Sequence, residues 1–553
     1  MAEPFFNLVD EPWVPVLDAD GHDLELSLRE VFHQAPDLIS LTGELPTQSF
    51  AILRVLLAIL HRAVAGPFDV DQWCDIRDDW CNTLSQIDTY LDDFHDRFWI
   101  QHPTQPFMQV ADLVSTNGEV SGLSRIICDG SGSSTFLSTR LGEDLQSARW
   151  AEAARWLVHA MAFDISGIHS GAVGDPRVTN GKGYGIGTGW AGQIGGVFLV
   201  GGTLFDTLML NLLVPEKVQI AHGDYDSPVW ERDPLTAVPE GWLVNGTIRP
   251  YRQPHGLVDV YTWPSRRIRL FGTAEIAEGV INAQGDKLTG QNRFTVEPMT
   301  SWRYSAPQTK ASGKDTYMPL KHETGKALWR GLASILPHVE VSLRTGGPAS
   351  RMPPATVKWA EELRFRSVID DRLLKLQSVG MNYGTNEAVY DEMVSDTLTI
   401  PTSLLLPEAR DLAQEAVSAV RRADEAVFAL GSLAQNIALA SGGSSDSSGP
   451  RERASESAYA ALDGEFRTWI ITLDQNASTV ERGTAWQQIV CRVVQKIADQ
   501  VVDQAGPAAI IGRSHGGTFR DAGLSMVWFR KQLRTILPDA FAITKAPSNE
   551  ERK

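Results

Sequence analysis

Apolar residues recur at helical spacing in the first half of the chain. This spacing predicts helices over 49–64, 71–98, 148–163 and 203–214. Thr47 occupies the position where a helix cap is expected, just before the first of these helices. Residues 5–32 differ, because two apolar runs flank the turn sequence DADG, and this pattern predicts a short β-hairpin.

Between residues 215 and 400 the apolar runs become short and are separated by Pro, Gly and Trp; the run at 266–276 (RRIRLFGTAEI) predicts a strand. Beyond residue 401 helical spacing returns in four amphipathic stretches, interrupted by the flexible sequence SGGSSDSSGP. Four such helices with short joins predict a four-helix bundle. The predicted fold class is therefore α+β, with a large mixed N-terminal domain over 1–400 and a C-terminal four-helix bundle over 401–553.

The charge of the chain is large and unevenly distributed. The formal net charge of −18 argues against a free-standing nucleic-acid-binding protein, because such proteins are basic. Residues 1–100 hold nineteen acidic residues, five arginines and no lysine, and the first lysine of the chain is Lys182. This acidic N-terminal region either repels non-specific DNA or faces a basic protein partner, or it is merely a solvated acidic surface.

Targeting and metal-binding patterns are missing from the sequence. It has no stretch of eighteen apolar residues, and its first residues lack the basic and apolar regions of a signal peptide. The four cysteines form no C-x-x-C pair, so a zinc ribbon is not expected. We therefore predict a reduced, cytoplasmic protein with no membrane contact and no cofactor.

Residue types typical of catalysis occur without the patterns that catalysis needs. His95 and Asp96 form an HD dipeptide, but no convincing set of further metal ligands accompanies them. Asp164, His169 and Ser170 are triad residue types, but no G-x-S-x-G elbow is present. The sequence favours a non-enzymatic binding protein, and the alternative is a metal-dependent phosphohydrolase centred on the HD dipeptide.

Residues 181–196 (GKGYGIGTGWAGQIGG), the glycine-rich run, contain eight glycines. Gly187, Gly189 and Gly192 spell G-x-G-x-x-G, but the turn-rich residues before them do not predict the strand that a dinucleotide site needs. A flexible linker rarely carries interleaved Tyr, Ile and Trp residues. The third interpretation is a loop whose backbone approaches a large ligand, where any β-carbon would collide.

Several stretches, taken in order along the chain, resemble one family. They are FNLVDEPWVPV (6–16), FWIQHPTQPFMQV (98–110), VSGLSRIICDG (120–130), the glycine-rich run and GTLFDTLMLNLLV (202–214). Their order resembles the CasA large subunits of type I-E CRISPR Cascade complexes over nearly the whole chain. The resemblance implies a non-catalytic subunit for antiviral defence that recognises the PAM in double-stranded target DNA and aids strand separation and R-loop formation.

The resemblance also implies partners. These are crRNA, other Cascade subunits, the double-stranded target DNA and a recruited helicase–nuclease that degrades the target. In such RNA-guided systems the protein reads the short PAM, while base pairing with the guide reads the rest of the sequence. An alternative within the same family is a purely structural scaffold subunit without DNA contact.

Site residues follow from the resemblance position by position. In the glycine-rich run it implies DNA contacts at Lys182, Gly183, Gly185, Gly187 and Gly189. A family lysine that reaches the PAM minor groove precedes Phe-Thr-Val, and in NRFTV this place is taken by Arg293, whose guanidinium also suits a minor groove. The family's guide-end loop follows Val-Ser-Gly, which implies Ile127, Cys128, Asp129 and Gly130.

The family's strand-separating wedge is a β-hairpin that carries Asn-Gln-Ala. The nearest match here is GTNEAVY, which implies Asn386, Glu387 and Ala388. Glutamate replaces glutamine, and its carboxylate would be repelled by phosphates and cannot donate to a base. Either the match is misplaced, or the wedge acts by steric insertion. On the bundle, contacts with displaced DNA are implied for Arg421, Arg422, Arg530, Lys531 and Arg534, although merely solvated positions would look the same.

Overall fold

The computed structural model of the chain describes residues 3–128, 146–223, 225–239, 243–244, 247–248, 251–339, 348–369, 372–444, 448–473 and 478–542. The chain divides into two compact units. The first comprises Met1–Lys326, Glu340–Asp370 and Leu374–Thr397. The second comprises Ala327–Val339, Asp371–Leu373 and Leu398–Lys553. The polypeptide therefore passes from one unit to the other more than once.

The helices of the first unit are mostly short. They are α1 (Leu28–Gln34), α2 (Pro46–Ala63), α3 (Val70–Asp78), α4 (Trp80–Asp93), α5 (Trp150–Phe163), α6 (Leu204–Asn211), α7 (Leu257–Tyr261), α8 (Ala306–Ser312) and α9 (Ala355–Phe365). Helix α2 is buried almost all round, because its residues from Phe50 to Leu60 are apolar apart from Arg54, which has a buried carboxylate partner in Glu297.

Two details of the predicted helices are wrong. Thr47 does not cap α2, which begins one residue earlier at Pro46; its hydroxyl instead lies 3.0 Å from Nε2 of the buried His159. The single helix predicted over 71–98 is broken at Asp79, whose backbone is not helical (φ −116°, ψ 63°). The Asp79 carboxylate accepts a hydrogen bond from the backbone N–H of Asn82 and so begins α4.

In the described part of the chain, twenty strands form small sheets. In chain order they are β1 (Phe5–Asn7), β2 (Val14–Asp18), β3 (Asp23–Leu26), β4 (Leu38–Leu41), β5 (Trp99–Gln101), β6 (Ala148–Arg149), β7 (His169–Ser170), β8 (Lys182–Gly183), β9 (Gly196–Val200), β10 (Leu243–Val244), β11 (Thr247–Ile248), β12 (Arg266–Gly272), β13 (Ile276–Gln284), β14 (Trp302–Tyr304), β15 (Tyr317–Pro319), β16 (Arg351–Met352), β17 (Leu373–Tyr383), β18 (Tyr390–Pro401), β19 (Arg513–His515) and β20 (Thr518–Arg520). The hairpin predicted around DADG is confirmed as β2 and β3.

One mixed sheet positions the glycine-rich run. Its order is β12-β13-β7-β8, with β6 also paired to β13, and β8 therefore lies at an edge. The strand predicted over 266–276 is in fact the whole of β12, a turn and the first residue of β13. Buried Ile268, Leu270 and Val280 anchor this hairpin in the core. A second sheet, β18-β17-β9, carries a hairpin whose tip is residues 384–389.

The second unit is built on a bundle of four long helices. They are α10 (Arg410–Ala440), α11 (Gly449–Ile470), α12 (Thr479–Asp503) and α14 (Ala522–Ile536), and the short α13 (Pro507–Ile511) precedes the β19–β20 hairpin. Helix α10 contacts the other three helices, because buried alanines recur along it at positions 413, 416, 419, 423 and 426. The predicted α+β class with a C-terminal four-helix bundle is confirmed.

A segment distant in sequence completes the second unit. The ring of Trp329 stacks on Phe466 of α11 with centroids 4.5 Å apart. The guanidinium of Arg330 lies 3.5 Å from the ring centre of Tyr459 and pairs with Asp424 of α10. Separately, none of the helices in the described part of the chain is long and apolar enough to cross a membrane.

Candidate nucleic-acid interface

The glycine-rich run is packed tightly against its own chain. A β-carbon at Gly185, Gly192 or Gly195 would overlap the Ser166 carbonyl oxygen, the Tyr383 hydroxyl or the Leu320 carbonyl oxygen respectively. At Gly189 it would lie 2.5 Å from the carbonyl group of Ala162, at the end of α5. Internal packing therefore explains most of these glycines, and the run is a fixed part of the fold rather than a linker.

The run also lacks the setting of a dinucleotide site. The last of the G-x-G-x-x-G glycines, Gly192, lies inside a single 3-10 turn, Trp190–Gln193, where a dinucleotide site would have a helix. The strand before them, β8, has two residues at a sheet edge. Gly187 has φ +119°, a conformation that L residues rarely adopt, so its glycine serves the backbone path.

Only a short part of the run faces solvent. Gly181, Lys182, Tyr184 and Gly185 are exposed, whereas Gly183 and the residues from Thr188 to Gly192 are buried. The predicted DNA contact at Lys182 is thus sterically accessible, while Gly183 and Gly189 have no free surface to offer. The side chains that the run can present to a ligand are Lys182 of the edge strand β8 and Tyr184, one residue beyond that strand.

A buried carboxylate holds the segment beneath the run. Asp164 accepts hydrogen bonds at Oδ2 from Nε of Arg266 (2.7 Å) and Nδ2 of Asn282 (3.0 Å). Nε2 of His169 lies 2.6 Å from the same oxygen, and the hydroxyl of Tyr390 donates to Oδ1 (3.4 Å). We call these five residues the Asp164 cluster. All of them are buried.

The electrostatics of the Asp164 cluster are dominated by one ion pair. Burial opposes the charged carboxylate, but His169, Arg266 and Asn282 around it hold the pKa of Asp164 well below its ordinary value. Burial lowers the pKa of His169, against the opposing effect of the Asp164 carboxylate. Its Nδ1 lies 2.8 Å from the Gly167 carbonyl oxygen and 2.9 Å from Gln284 Nε2. Because both ring nitrogens of His169 already have partners within the fold, neither is left to activate a nucleophile, and Asp164 and His169 form a structural cluster.

Three predicted segments converge on residues 163–168. Arg266 donates from Nη2 to the carbonyl oxygens of Ile165 and Gly187, which ties the glycine-rich run to this segment. The hairpin tip joins through the Ser166 N–H, which donates to the Glu387 carbonyl (2.7 Å). The segment after Val-Ser-Gly joins through the Arg125 guanidinium, which donates to the Ile168 carbonyl.

The hairpin tip has a strained backbone and carries an acidic side chain that is paired with a lysine. Asn386 and Glu387 both have positive φ (58° and 54°), and Asn386 is exposed. The Glu387 carboxylate pairs with Lys321 Nζ at 3.3 Å, while Ala388 is half-buried against Gly167. The three predicted wedge residues therefore do lie on a hairpin beside the glycine-rich run, with the carboxylate charge partly compensated.

Two other sets of predicted residues are placed differently. Ile127 and Cys128 are fully buried, so their side chains cannot contact a guide, while Asp129 and Gly130 lie outside the described residues. Arg293 donates to Gln253 Oε1 (2.5 Å) and the Thr289 carbonyl (3.1 Å), and burial lowers its pKa. Its side-chain hydrogen bonds in the described part of the chain do not reach the glycine-rich run.

The predicted basic residues of the bundle differ in their exposure and in their ion pairs. Arg422 is partly buried and pairs with Glu415 (2.8 Å), so less of its side chain is open to solvent than at the other four positions. Arg421 is exposed and pairs with Glu425 (3.0 Å). Arg530, Lys531 and Arg534 are exposed together on α14, at a spacing that places them on one side of the helix.

The HD dipeptide has structural partners. Nε2 of His95 lies 2.7 Å from the Asp10 carboxylate, and its ring faces the edge of Trp99. In the described part of the chain, the group of acidic and histidine side chains close enough to share a cation is Asp18, Asp20 and His22, on the exposed DADG turn. This group does not include His95, so the geometry gives the phosphohydrolase alternative no support.

The sequence pointed to Asp164 and His169 only as triad residue types and did not predict that Asp164 pairs with Arg266. Asp164 and Arg266 are 102 positions apart, and neither belongs to a recognised motif. One signal was available: β12 begins with two adjacent arginines in an apolar strand, and buried arginines need buried acceptors. Arg266 forms an ion pair with Asp164 on one face of the strand, and Arg267 forms one with Asp286 on the other face.

Comparison with known proteins gives one consistent set of relatives. The CRISPR-associated protein Cse1 family matches residues 7–497. The CRISPR-associated protein CasA/Cse1 of Thermus thermophilus is 29% identical over 504 residues, covering 86% of this chain and 88% of that protein. The crystal structure of Thermobifida fusca Cse1 has a TM-score of 0.87 at 39% identity and covers 97% of this chain and 99% of that one.

A more distant structure shares the fold. A chain from a CRISPR RNA-guided surveillance complex has a TM-score of 0.67 at 18% identity, covering 97% of this chain and 100% of that chain. The similarity to both solved structures therefore includes the mixed sheets and the C-terminal bundle.

Proposed function

The chain belongs to the CRISPR-associated Cse1 (CasA) family. We propose that it is the large subunit of a Cascade-type surveillance complex and that it recognises the PAM of double-stranded target DNA. In the same proposal it aids strand separation and R-loop formation, and it recruits the helicase–nuclease that degrades the target. Its partners are then crRNA, the other Cascade subunits, target DNA and that nuclease, and the chain itself performs no catalysis.

One observation carries this proposal: the exposed edge of the glycine-rich run and the hairpin tip are tied to the same short segment, 163–168. Lys182 of the run and Asn386 of the tip are both exposed, and they offer a cation for phosphates and an amide for base edges. A lysine held on a fixed sheet edge suits the phosphates that flank the minor groove, whose readout is degenerate. The acidic residues 1–100 would keep the free subunit off random DNA.

The experiment measures duplex binding by a guide-loaded complex, with and without this chain, over a panel of PAM-position variants at fixed salt. We expect the chain to create PAM-dependent binding. If adding it changes neither affinity nor PAM preference, the proposed function fails, and the scaffold role is the one that remains.

Lys182→Ala tests the phosphate contact. We expect affinity to fall for every PAM variant alike, and the slope of log affinity against log salt to become shallower by about 0.9, the value for one neutralised phosphate. Lys310→Ala, on the exposed end of α8, is the matched control and should leave the slope unchanged. An unchanged slope for Lys182→Ala would remove this lysine from the interface.

Glu387→Gln tests whether the acidic wedge limits binding. The change removes a carboxylate from the hairpin tip and frees Lys321, so we expect affinity for target duplex to rise about two- to five-fold, or about 0.5–1 kcal/mol. Asp92→Asn, which breaks the exposed pair with Arg29, serves as the control that should not change affinity. Weaker binding by Glu387→Gln would show that the Lys321 pair holds the tip in its active form.

A further inference from the structure

Tyr184 is an exposed aromatic side chain on a backbone that cannot move easily. Tyr184 is 51% exposed, although a tyrosine in a packed unit usually buries most of its ring. Among the described residues, no hydrogen bond of its hydroxyl and no ring stacking accounts for this position. An exposed aromatic ring that contributes little to its own fold is available for a ligand.

The backbone on both sides of Tyr184 is fixed. Gly183 pairs with His169 in the sheet, and the α-carbon of Gly185 lies against the Ser166 carbonyl, where a β-carbon would overlap it. Two residues further on, the Gly187 N–H donates to Ser166 Oγ (3.1 Å). The ring is therefore held at a defined position, as stacking on a planar partner requires, and does not swing on a flexible loop.

The surroundings of the ring select the kind of ligand. Lys182, two positions earlier on the edge strand, is exposed. Ile168 lies opposite Tyr184 in the register that pairs His169 with Gly183, and it too is 51% exposed. An aromatic ring and an aliphatic side chain beside a cation are the combination by which proteins stack on a base while contacting the adjoining phosphate.

We propose that Tyr184, supported by Ile168, stacks on a base at the end of the target duplex where the first base pair opens. The proposal rests on the function proposed above and deepens it, because it assigns the opening step to a residue of the glycine-rich run. The hairpin tip is less suited to this contact, since Glu387 is acidic and already paired with Lys321. The tip then flanks the opened strand, and Tyr184 replaces the lost stacking partner.

The test separates opening from binding. Guide-loaded complexes carry wild-type chain, Tyr184→Ala, Tyr184→Phe or Tyr225→Ala; Tyr225 is 79% exposed elsewhere in the first unit and is the matched control. Opening is followed by the fluorescence of 2-aminopurine placed at the first base pair beside the PAM. A second duplex, already mismatched at that pair, reports binding that needs no opening.

We expect Tyr184→Ala to slow opening of the intact duplex about ten-fold, in line with the loss of one base–aromatic stack, and to act normally on the mismatched duplex. Tyr184→Phe and Tyr225→Ala should behave as wild type. If Tyr184→Ala opens the intact duplex at the wild-type rate while PAM dependence persists, the stacking proposal is overturned and the proposed function stands.

Two further outcomes also decide the matter. If Tyr184→Ala weakens binding to both duplexes equally, the ring contacts a part of the DNA that stays paired, and the stacking proposal is overturned. If it prevents assembly of the guide-loaded complex, the ring contacts RNA or a neighbouring subunit, which overturns it as well. Absence of PAM-dependent binding with the wild-type chain would instead overturn the proposed function itself.

Discussion

Replacing Asp164 by asparagine is expected to lower the opening free energy of the segment 163–189 by about 3–5 kcal/mol. The substitution keeps the shape of the side chain but leaves the guanidinium of Arg266 buried without a counter-charge. It also weakens the bonds with His169 and Asn282, which meet on the same oxygen. Since Arg266 links Ile165 to Gly187, the glycine-rich run loosens together with the segment below it.

Native-state hydrogen exchange of the backbone amides in this segment measures the effect directly, because it reports local opening without requiring the whole chain to unfold. Glu362→Gln breaks the exposed ion pair with Arg366 on α9 and should change stability by less than about 0.5 kcal/mol. Protection factors in Asp164→Asn within about ten-fold of wild type would mean that the charge of this carboxylate does not hold the segment.

Gly189→Ala is expected to cost about 2–3 kcal/mol of stability. Its backbone conformation is one that alanine adopts readily (φ −51°), so the cost comes from packing alone. The new β-carbon would lie 2.5 Å from the carbonyl carbon and oxygen of Ala162, and both belong to the backbone of α5, which cannot turn aside as a side chain would.

Gly223→Ala is the matched control, since no described atom lies within 4 Å of its β-carbon position, and it should be close to neutral. Urea unfolding of the two variants, followed by the same exchange measurement, gives the difference. If Gly189→Ala were as stable as the control, the run would be looser than its packing indicates. If instead the cost is confirmed, lost DNA binding in such a variant reports a damaged fold and not a lost contact.

Most of the helical part of the fold could be predicted from apolar spacing, since every predicted helix has a counterpart in the structure. The break at Asp79 was not, because an aspartate that caps α4 looks, in the sequence DDW, like any polar position on the face of a longer helix. The start of α2 was also misjudged, because the hydroxyl of Thr47 contacts a histidine 112 positions away and no local pattern records this.

Only part of the candidate site could be predicted from the sequence. Composition located the glycine-rich run, but whether a glycine faces solvent or another part of the chain depends on tertiary neighbours, and Gly189 faces α5. The burial of Ile127 and Cys128 could have been inferred from their apolar character. The family resemblance instead assigned both residues to an exposed guide-end loop. Nothing local could bring Asp164, Arg266 and Tyr390 together, because their positions are set by three different parts of the fold.

The stacking of Trp329 on Phe466 has a consequence for anyone who divides this protein into pieces. A fragment cut at residue 400 would keep all four long helices of the bundle, yet it would leave behind Trp329 and Arg330, and with them the cover over Phe466 and the partner of Asp424. Such a fragment would expose an apolar patch on α11 and tend to self-associate, so its behaviour would misrepresent the intact subunit. Adding residues 327–339 as a separate peptide would be the way to restore the missing cover.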